Sequence, residues 1–324
     1  MSNTARAKHK HQPIAQTEGS LNAQHDVAII GGGPAGVAAA TYLLHARFNV
    51  ALFAPESGGK VSYRFALRGI PHVETVWGAE LVHQFQAYVN AHLGRSDPRF
   101  VERVEHVPPI FRLHLSEGEP VTARAVLVAT GASPQKLFVP GEDEFWGRGV
   151  SYSAISHAPF FHGRDVAVVG QGERALYAAI ELAHLAHKVY LIASNDTWSQ
   201  HPLAAVVQKL PNVTIFTHWT VERIVGDQFV TGIELANNLG AARHLDVEGV
   251  FIILGVRPNS DMVRDLVECD ENGHIIVDKQ GRASVPGVFA AGDVTDTYIE
   301  QVPIALGEGI KAAISIWRYL ATQV

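Results

Sequence analysis

An uninterrupted apolar run near the N-terminus is followed by a glycine-rich turn and then by an alanine-rich segment. The run covers residues 26–30, the turn reads Gly-Gly-Gly-Pro-Ala-Gly at 31–36, and the alanine-rich segment covers 37–44. A short continuous apolar run is typical of a buried parallel strand, and an alanine-rich segment favours a helix. A turn without side chains lets a pyrophosphate approach the backbone, and the N-terminus of the helix offers free N–H groups to it. The pattern predicts a dinucleotide-binding site at 31–36.

The same order of segments recurs in the middle of the chain. An apolar run at 165–169 leads through a second turn, Gly-Gln-Gly-Glu-Arg-Ala at 170–175, into a helical pattern at 178–186. Near the C-terminus a third apolar run ends at Gly292 and Asp293, just before the last helical segment. Two βαβ nucleotide-binding units require two domains. The predicted fold class is α/β, with two Rossmann-like three-layer nucleotide-binding domains, the second inserted in the first.

Breaker residues set the predicted domain boundaries. Residues 1–24 are polar and show no apolar period, so they are predicted to form an N-terminal tail without a core of its own. A Pro-Gly pair and a Gly-Val-Arg-Pro sequence mark two joints further along the chain. The first domain is accordingly discontinuous, at 25–140 and 258–324, and the second covers 141–257.

Two local patterns give finer expectations. The apolar side chains of one predicted helix share a face, which holds Leu81, Val82, Phe85 and Val89. After a turn signature of acidic residues, Asn and Gly, a histidine and three apolar residues at 274–277 are predicted to form a strand.

Composition limits the class of protein. The 324 residues are 47% hydrophobic, and 26 basic against 32 acidic side chains give a net charge of −6. Without a long basic run, no nucleic-acid partner is expected. The longest apolar stretch, near 250–256, is too short to span a membrane, and the N-terminus lacks the apolar centre of a signal peptide. We therefore expect a cytoplasmic protein without membrane contact.

Cysteine and histidine usage argues against two kinds of site. Cys269 is the only cysteine, so an intramolecular disulfide and a thiolate metal site are both excluded. The 17 histidines are scattered, without the spacing on a helix face that binds a metal ion. No metal is expected.

Taken in order, the three strand-to-turn junctions resemble those of the low-molecular-weight thioredoxin reductases and their relatives in the two-dinucleotide-binding flavoprotein superfamily. The resemblance runs from about residue 25 to residue 320 and includes further short motifs in the shared order. These motifs are Gly58-Gly59-Lys60, Val128-Ala129-Thr130-Gly131-Ala132, Val139-Pro140-Gly141-Glu142, the segment at 145–152, the segment at 286–293, and Gln301. The resemblance implies an FAD-binding first domain, an NAD(P)-binding-like second domain and a homodimer.

The resemblance also implies which residues hold FAD. The glycines of the first turn would hold the pyrophosphate, Thr130 and Gly131 would close over it, Asp293 would bond the ribityl or phosphate region, and Gln301 would lie beside the isoalloxazine. Glu56 is the nearest candidate for the ribose-binding acid, with a solvated loop carboxylate as the alternative. The full implied set is Gly31, Gly33, Pro34, Ala35, Gly36, Glu56, Gly58, Gly59, Lys60, Val104, Ala129, Thr130, Gly131, Gly292, Asp293, Gln301 and Val302.

A departure from the family falls at the redox centre. Thioredoxin reductases carry a Cys-x-x-Cys followed by an acid, whereas this chain has Ser153, Ser156 and His157 at the matching positions. A serine hydroxyl cannot form a disulfide, and thiol-disulfide exchange needs thiolates. Either the chain is a disulfide reductase whose two cysteines were replaced by serine, or it belongs to a natural branch without the motif. The sequence leaves both interpretations open.

A second departure concerns the nicotinamide cofactor. The second turn supplies Gly170, Gly172 and Ala175 as candidate nucleotide contacts, but the His-Arg-Arg that clamps a 2′-phosphate in NADPH-dependent members is missing after the following strand. NADPH dependence is therefore not expected, and NAD(P)H binding itself is in question. Asp196 is a candidate ribose acceptor, with a loop or cap role as the alternative. The site is otherwise expected to be empty, covered, or filled by a second flavin or an aromatic side chain.

Two tryptophans belong to that half of the chain. Trp198 and Trp219 would offer a stacking surface there, and a plain core position is the alternative for each.

The two departures together resemble the pyridine-nucleotide-independent branches of the family, which take electrons from ferredoxin or another flavin. The leading hypothesis is an FAD-dependent oxidoreductase of thioredoxin-reductase type without its own redox disulfide, which exchanges electrons with an external carrier or disulfide partner. A ferredoxin or a thioredoxin-like protein is the expected partner. The alternatives are a reductase inactivated by Cys-to-Ser replacement and a non-catalytic flavin-binding regulatory module.

Overall fold

A computed structural model describes residues 23–55, 58–73, 78–297 and 299–323, with the side chains of 71–73 left out. Most of the predicted tail and the candidate Glu56 lie outside these ranges.

The described residues form eighteen strands and six α-helices. The strands are β1 (His25–Ile30), β2 (Val50–Phe53), β3 (Phe65–Leu67), β4 (Ile70–Val73), β5 (Val101–Val107), β6 (Ile110–Leu115), β7 (Val121–Val128), β8 (Ala132–Pro134), β9 (Val150–Ser151), β10 (Asp165–Val169), β11 (Lys188–Ala193), β12 (Val213–Thr217), β13 (Trp219–Gly226), β14 (Val230–Asn237), β15 (Ala242–Asp246), β16 (Gly249–Ile252), β17 (Val256–Pro258) and β18 (Val288–Ala290). The helices are α1 (Pro34–His45), α2 (Ala79–Leu93), α3 (Ala154–His157), α4 (Glu173–Ala183), α5 (Ala204–Val207) and α6 (Val302–Ala321). Short 3-10 turns occupy Gly59–Ser62, Ala158–Phe161, Thr197–Gln200 and Asp261–Val263.

We call residues 25–140 and 258–323 the first half of the molecule, and residues 141–257 the second half. The first half is organised around a six-stranded sheet. Its strands run in the order β2-β1-β7-β6-β5, and β18 pairs with β7. Strands β2, β1, β7 and β18 are parallel to one another, and apolar residues face both sides of this part of the sheet. Helices α1 and α6 pack on one face, with Leu43 and Ile316 fully buried between them and the strands.

The second half repeats this plan with a five-stranded parallel sheet. Its order is β12-β11-β10-β16-β9, and α4 packs on it through Leu176 and Leu182. A three-stranded antiparallel sheet, β13-β14-β15, covers the other face. Two parallel sheets, each bearing a strand-turn-helix unit, confirm the predicted α/β class with two Rossmann-like units.

A hairpin from the first half belongs to the core of the second. Strands β3 and β4 pair with each other, and Phe65 and Leu67 lie among the buried residues beneath α4. The Ala66 N–H also donates to the carbonyl of Gly147, at 2.8 Å. The two halves therefore share apolar packing as well as two connecting segments.

Two local predictions differ from the structure. Residues 274–277 form no strand, and Ile275 makes only isolated bridges to Cys269 and Thr295. On α2, Val82 and Val89 are buried as predicted, but Leu81 is 43% exposed. Leu81 precedes Val82 by one position, which places it about 100° around the helix from the buried stripe.

Candidate functional site

The first glycine turn joins β1 to α1 and depends on glycine at two positions for its packing. Gly31 has φ = +112°, and a methyl group in place of its hydrogen would overlap the carbonyl of Ala129. A methyl group on Gly36 would overlap the carbonyl of Gly31. These glycines allow the helix to approach the strand at backbone contact distance.

Gly33 has a different role in the same turn. A methyl group added there would meet no atom within 4 Å, and Gly33 caps α1 without a side-chain hydrogen bond. No side chain caps the first turn of α1, which has Pro34 at the first helical position and no acidic residue. Open backbone donors at the positive end of a helix fit a pyrophosphate.

Gly58 and Gly59 lie beside this turn. The Gly58 N–H donates to the carbonyl of Gly32 at 3.0 Å, and a methyl group on Gly59 would lie 3.2 Å from the Gly33 Cα. The Lys60 that follows makes an ion pair with Asp293, with 2.7 Å between Nζ and Oδ2. The structure thus brings together three motifs that are far apart in the sequence.

Asp293 lies just beyond the end of β18, and the backbone of the preceding Gly292 is held by Glu308, a residue that the sequence analysis missed. The N–H of Gly292 donates to Oε2 of Glu308 on α6 at 2.8 Å. Asp293 is mostly buried, with 14% of its side chain exposed. Its carboxylate therefore has little freedom to move from the glycine turn.

The loop after β7 is fixed by a second missed residue, Asn259. The Asn259 side-chain amide donates to the carbonyl of Thr130 at 3.0 Å, and the Thr130 hydroxyl donates to the Asn259 carbonyl at 2.5 Å. The Asn259 N–H donates to the carbonyl of Gly131 at 2.9 Å. Asn259 follows directly after the predicted joint at Pro258, which was the available signal for it.

The remaining implied flavin residues make contacts within the described chain. Ala129 donates its N–H to the carbonyl of Ile30 at 2.7 Å. The side chain of Val104 is 4% exposed and lies in the apolar core of the first half, so it offers the turn no polar group. Gln301 caps α6 with its carbonyl, and Val302 packs near Val82.

Ser153 and Ser156 lie next to each other in the second half. The Ser153 hydroxyl donates to Oγ of Ser156 at 3.1 Å and accepts the Ser156 N–H at 3.3 Å, so Ser153 caps α3. These are the positions at which members of the resembled family carry the redox cysteines. In this chain Ser153 caps α3, and Ser156 accepts the hydrogen of its hydroxyl.

His157 is held between the two halves. Its Nδ1 is 2.7 Å from the hydroxyl of Ser151, which is 1% exposed, and its ring stacks on Phe65 with centroids 4.3 Å apart. Burial lowers the pKa of His157 to about 4. The imidazole is therefore neutral at physiological pH.

Glu142, which the sequence analysis left without a role, is a buried anchor close to this cluster. It is 2% exposed and accepts the N–H groups of Leu137 and Phe138 at 3.0 and 2.6 Å. It also accepts the hydroxyl of Tyr152 at 2.9 Å. Burial and this hydrogen bond raise the pKa of Tyr152.

The second glycine turn joins β10 to α4 and has a backbone geometry similar to that of the first. Gly170 has φ = +153° and would overlap the carbonyl of Ile253 if it carried a methyl group. Gly172 caps α4 without a side-chain hydrogen bond, and a methyl group there would meet nothing within 4 Å. Ala175 is fully buried at the position that Gly36 has in the first turn.

Side chains occupy the rim of this second turn. Oε1 of Gln171 accepts hydrogen bonds from the N–H and the hydroxyl of Ser194, at 3.4 and 2.9 Å. Arg174 makes an ion pair with Glu300, just before α6, at 2.8 Å. The Glu173 carboxylate lies 4.0 Å from Nε2 of His201.

Both tryptophans of this half pack against neighbouring residues. Trp198 is 6% exposed and donates its indole N–H to the hydroxyl of Thr217 at 3.2 Å. Trp219 meets Phe216 edge to face at 5.9 Å. These contacts favour the core interpretation over a stacking surface.

The described ranges also bear on metal binding and on membrane spans. Within them, no group of three or more His, Cys, Asp or Glu side chains is placed to hold a metal ion. None of the helices in the same ranges is long and apolar enough to cross a membrane.

Comparisons with known proteins agree with this geometry. Residues 25–309 match the family model described as pyridine nucleotide-disulphide oxidoreductase. An alkyl hydroperoxide reductase component from Pseudomonas putida is 36% identical over 306 residues, and NADH dehydrogenase of Bacillus subtilis is 34% identical over 299 residues. Each alignment covers 91% of this chain and 58% of the relative, so the chain spans little more than half the length of these curated relatives.

A solved structure is similar over its full length. Thioredoxin reductase from Streptococcus pyogenes MGAS5005 has 31% sequence identity and a TM-score of 0.83, and the match covers 92% of this chain and 98% of that one.

Proposed function

We propose a function from the premise that this chain belongs to the pyridine nucleotide-disulphide oxidoreductase family and is an FAD-dependent oxidoreductase of that class. The proposal is that it works without a redox disulfide of its own and does not depend on NADPH. Its flavin exchanges electrons with an external carrier or with a disulfide on a partner protein. The observation that carries the proposal is the pair Ser153 and Ser156, hydrogen-bonded at 3.1 Å where a dithiol would otherwise stand.

The first glycine turn fits FAD. The residues that would hold its pyrophosphate are Gly31, Gly33 and Gly36. Gly33 leaves space at the N-terminus of α1, and Gly31 and Gly36 let that helix lie close to β1. Asp293 would accept a hydrogen bond from a ribityl hydroxyl, and Lys60 balances its charge. Bound FAD supplies the capacity to take up and release one or two electrons.

No other thiol in the chain replaces the missing dithiol. Cys269 lies in the first half, is partly buried, and has its thiol pKa raised by that burial. A buried thiol with a raised pKa is a poor nucleophile for disulfide exchange. Electrons therefore pass to an acceptor outside the chain, and we propose a ferredoxin or a thioredoxin-like protein.

The test is anaerobic photoreduction of the FAD-loaded protein, followed by stopped-flow addition of candidate acceptors. We expect the flavin spectrum to reoxidise with a protein carrier, at a rate that saturates with carrier concentration. Free FAD at the same concentration is the control, because it reacts without saturation. Reduced protein that no carrier reoxidises contradicts the proposal and favours a flavin-binding regulatory module.

The adjacency of the two serine hydroxyls, hydrogen-bonded at 3.1 Å, also favours a second candidate, a reductase inactivated by Cys-to-Ser replacement. The double variant Ser153→Cys, Ser156→Cys decides between the two. Under the leading proposal, thiol titration finds two new thiols but no thioredoxin reduction appears. Dithiol-dependent reduction of thioredoxin by this variant, with the single variants inactive, establishes the second candidate instead.

A further inference from the structure

We propose that the β3–β4 hairpin fixes the two halves of the molecule in one arrangement, and that this arrangement is kept when the flavin is reduced and reoxidised. The hairpin belongs to the first half by its place in the chain and to the second half by its packing. The fixed arrangement does not depend on which carrier receives the electrons, so it goes beyond the proposed function.

The chain connects the two halves through two paired strands. Strand β8 leads out of the first half and β17 leads back into it, and the Gln135 N–H beside them donates to the carbonyl of Gly255 at 2.9 Å. A two-stranded ribbon is only marginally stable by itself. Domains joined by such a connection move relative to each other unless a large apolar interface prevents it. The contacts outside the ribbon therefore decide whether the halves can turn.

The hairpin supplies an apolar interface of this kind. Phe65, Leu67 and Ile70 pack in the core beneath α4, and the other members of that core within the described ranges all belong to the second half. Phe65 and Leu67 alternate along β3 onto the same face and are 3% and 1% exposed. Separating the hairpin from the second half would leave a cavity and expose apolar surface to water, which is unfavourable.

The start of the hairpin is anchored to the first half. Lys60 makes its ion pair with Asp293 at 2.7 Å, and Val61 is buried beside α1 and α2. Only residues 61–64 lie between this ion pair and Phe65. The hairpin therefore cannot follow a turning second half without breaking contacts of the first.

Polar contacts attach the side and the turn of the hairpin to the second half. The Ala66 N–H donates to the carbonyl of Gly147 at 2.8 Å. The Arg164 guanidinium donates to the carbonyl of Arg68 at 2.8 Å, and the Arg68 side chain makes an ion pair with Asp227 at 2.7 Å. Hydrogen bonds are directional, so these contacts give the packed hairpin one orientation on the second half.

A different segment of the first half makes a further contact. Arg174, at the start of α4, makes an ion pair with Glu300, just before α6, at 2.8 Å. The second half is thus attached both at the hairpin and next to α6. Attachment at two places opposes rotation about either one, and it keeps the α3 segment in one position relative to the first glycine turn.

The test is single-molecule FRET on the FAD-loaded full chain. Dyes that absorb at longer wavelengths than the flavin are attached at Glu119→Cys, between β6 and β7, and at Asn238→Cys, between β14 and β15, with Cys269→Ser to remove the natural thiol. An excess of unlabelled protein limits the signal to distances within one chain. We expect one FRET peak, no wider than photon statistics require, at the same position with oxidised and photoreduced flavin. A second peak, or a shift of the peak on reduction, overturns the proposal.

The variant Leu67→Ala is expected to broaden the peak or add a second one, because it removes a side chain that joins the hairpin to the second half. Leu176→Ala is the matched control, since Leu176 is fully buried in the same core but belongs to the second half. Its peak is expected to stay in place. An unchanged peak for Leu67→Ala, or equal broadening in both variants, contradicts the role of the hairpin.

Milder variants serve if the truncated chains do not fold. Leu67→Val and Leu176→Val make the same comparison with smaller cavities. Two FRET peaks in a protein whose flavin is reoxidised normally by a carrier would overturn the fixed arrangement and leave the proposed function standing. A single peak in a protein that no carrier reoxidises would do the reverse.

Discussion

The two glycine turns share one backbone design and differ in what surrounds it. In each, the N–H of the first glycine donates to the end of the neighbouring strand, at 2.8 Å from Gly31 to Phe53 and at 3.0 Å from Gly170 to Ile192. The first turn is then bordered by backbone, where Gly32 accepts the N–H of Gly58. The second is bordered by the side chain of Gln171.

The comparison distinguishes two parts of each turn: the helix N-terminus, which can hold a phosphate, and the residues at its border. Open helix N-termini are common to both turns and fit any pyrophosphate. The border residues differ between the two turns. The first turn is bordered by backbone and by the Lys60–Asp293 pair, whereas the second is bordered by the polar side chain of Gln171 and by the Arg174–Glu300 pair.

The largest effect is expected from a substitution that disrupts the first turn. Gly31→Ala forces a side chain into positive φ and against the carbonyl of Ala129, so we expect a loss of roughly 3 kcal/mol or more of unfolding free energy and no FAD retention. Gly33→Ala is the matched control, because it meets open space and should keep the fold. Urea unfolding and the flavin absorbance of the purified proteins measure both. Equal stability of the two variants would contradict the packing argument.

A smaller expected effect is the acid sensitivity that His157, in the second half, gives to the free energy of unfolding. Because its pKa is about 4 in the folded protein and near 6.5 when unfolded, the unfolded chain binds the proton more readily. Stability is therefore full above pH 6.5 and falls by up to about 1.4 kcal/mol per pH unit as the pH drops towards 4.

Urea unfolding over pH 7 to 4 checks this, with His157→Gln expected to show a shallower slope. His162→Gln is the control, since His162 is an exposed residue of the same half. Parallel curves for wild type and His157→Gln would show that the buried imidazole does not set the acid response.

The smallest expected effect concerns the border of the first turn. Asp293→Asn keeps the shape of the side chain but removes its charge, so we expect FAD to dissociate about tenfold more readily. Asp278→Asn is the control, because Asp278 makes an ion pair with Arg282 at 2.6 Å in the same half and lies outside the implied flavin set. Fluorescence of released FAD measures both. An unchanged dissociation constant for Asp293→Asn would remove that residue from the site.

The local sequence was sufficient to predict both turns. Each prediction needed only neighbouring residues, namely an apolar run, glycines and a helical pattern, and the physical demand of Gly31 and Gly170 for positive φ is local as well. The fold class followed from the same signals. The partnership of Lys60 with Asp293 depended on residues 233 positions apart, and only the family resemblance placed both in one site.

The failures have tertiary causes. The apolar residues at 274–277 suggested a strand, but Ile275 is buried by single bridges to two different segments rather than by a sheet. The bond between Gln171 and Ser194 crosses between two strands of the second sheet, and no periodicity predicts a side-chain pair of that kind. Asn259 and Glu308 likewise act on loops that are distant in the chain.

The hairpin of β3 and β4 has a consequence for protein engineering. Phe65 and Leu67 complete a core to which the rest of their own half contributes little. A segment of residues 141–257 exchanged between homologues would leave behind these two apolar side chains, of which Phe65 is also the stacking partner of His157. A working chimera must therefore carry its donor's hairpin along with the transplanted segment.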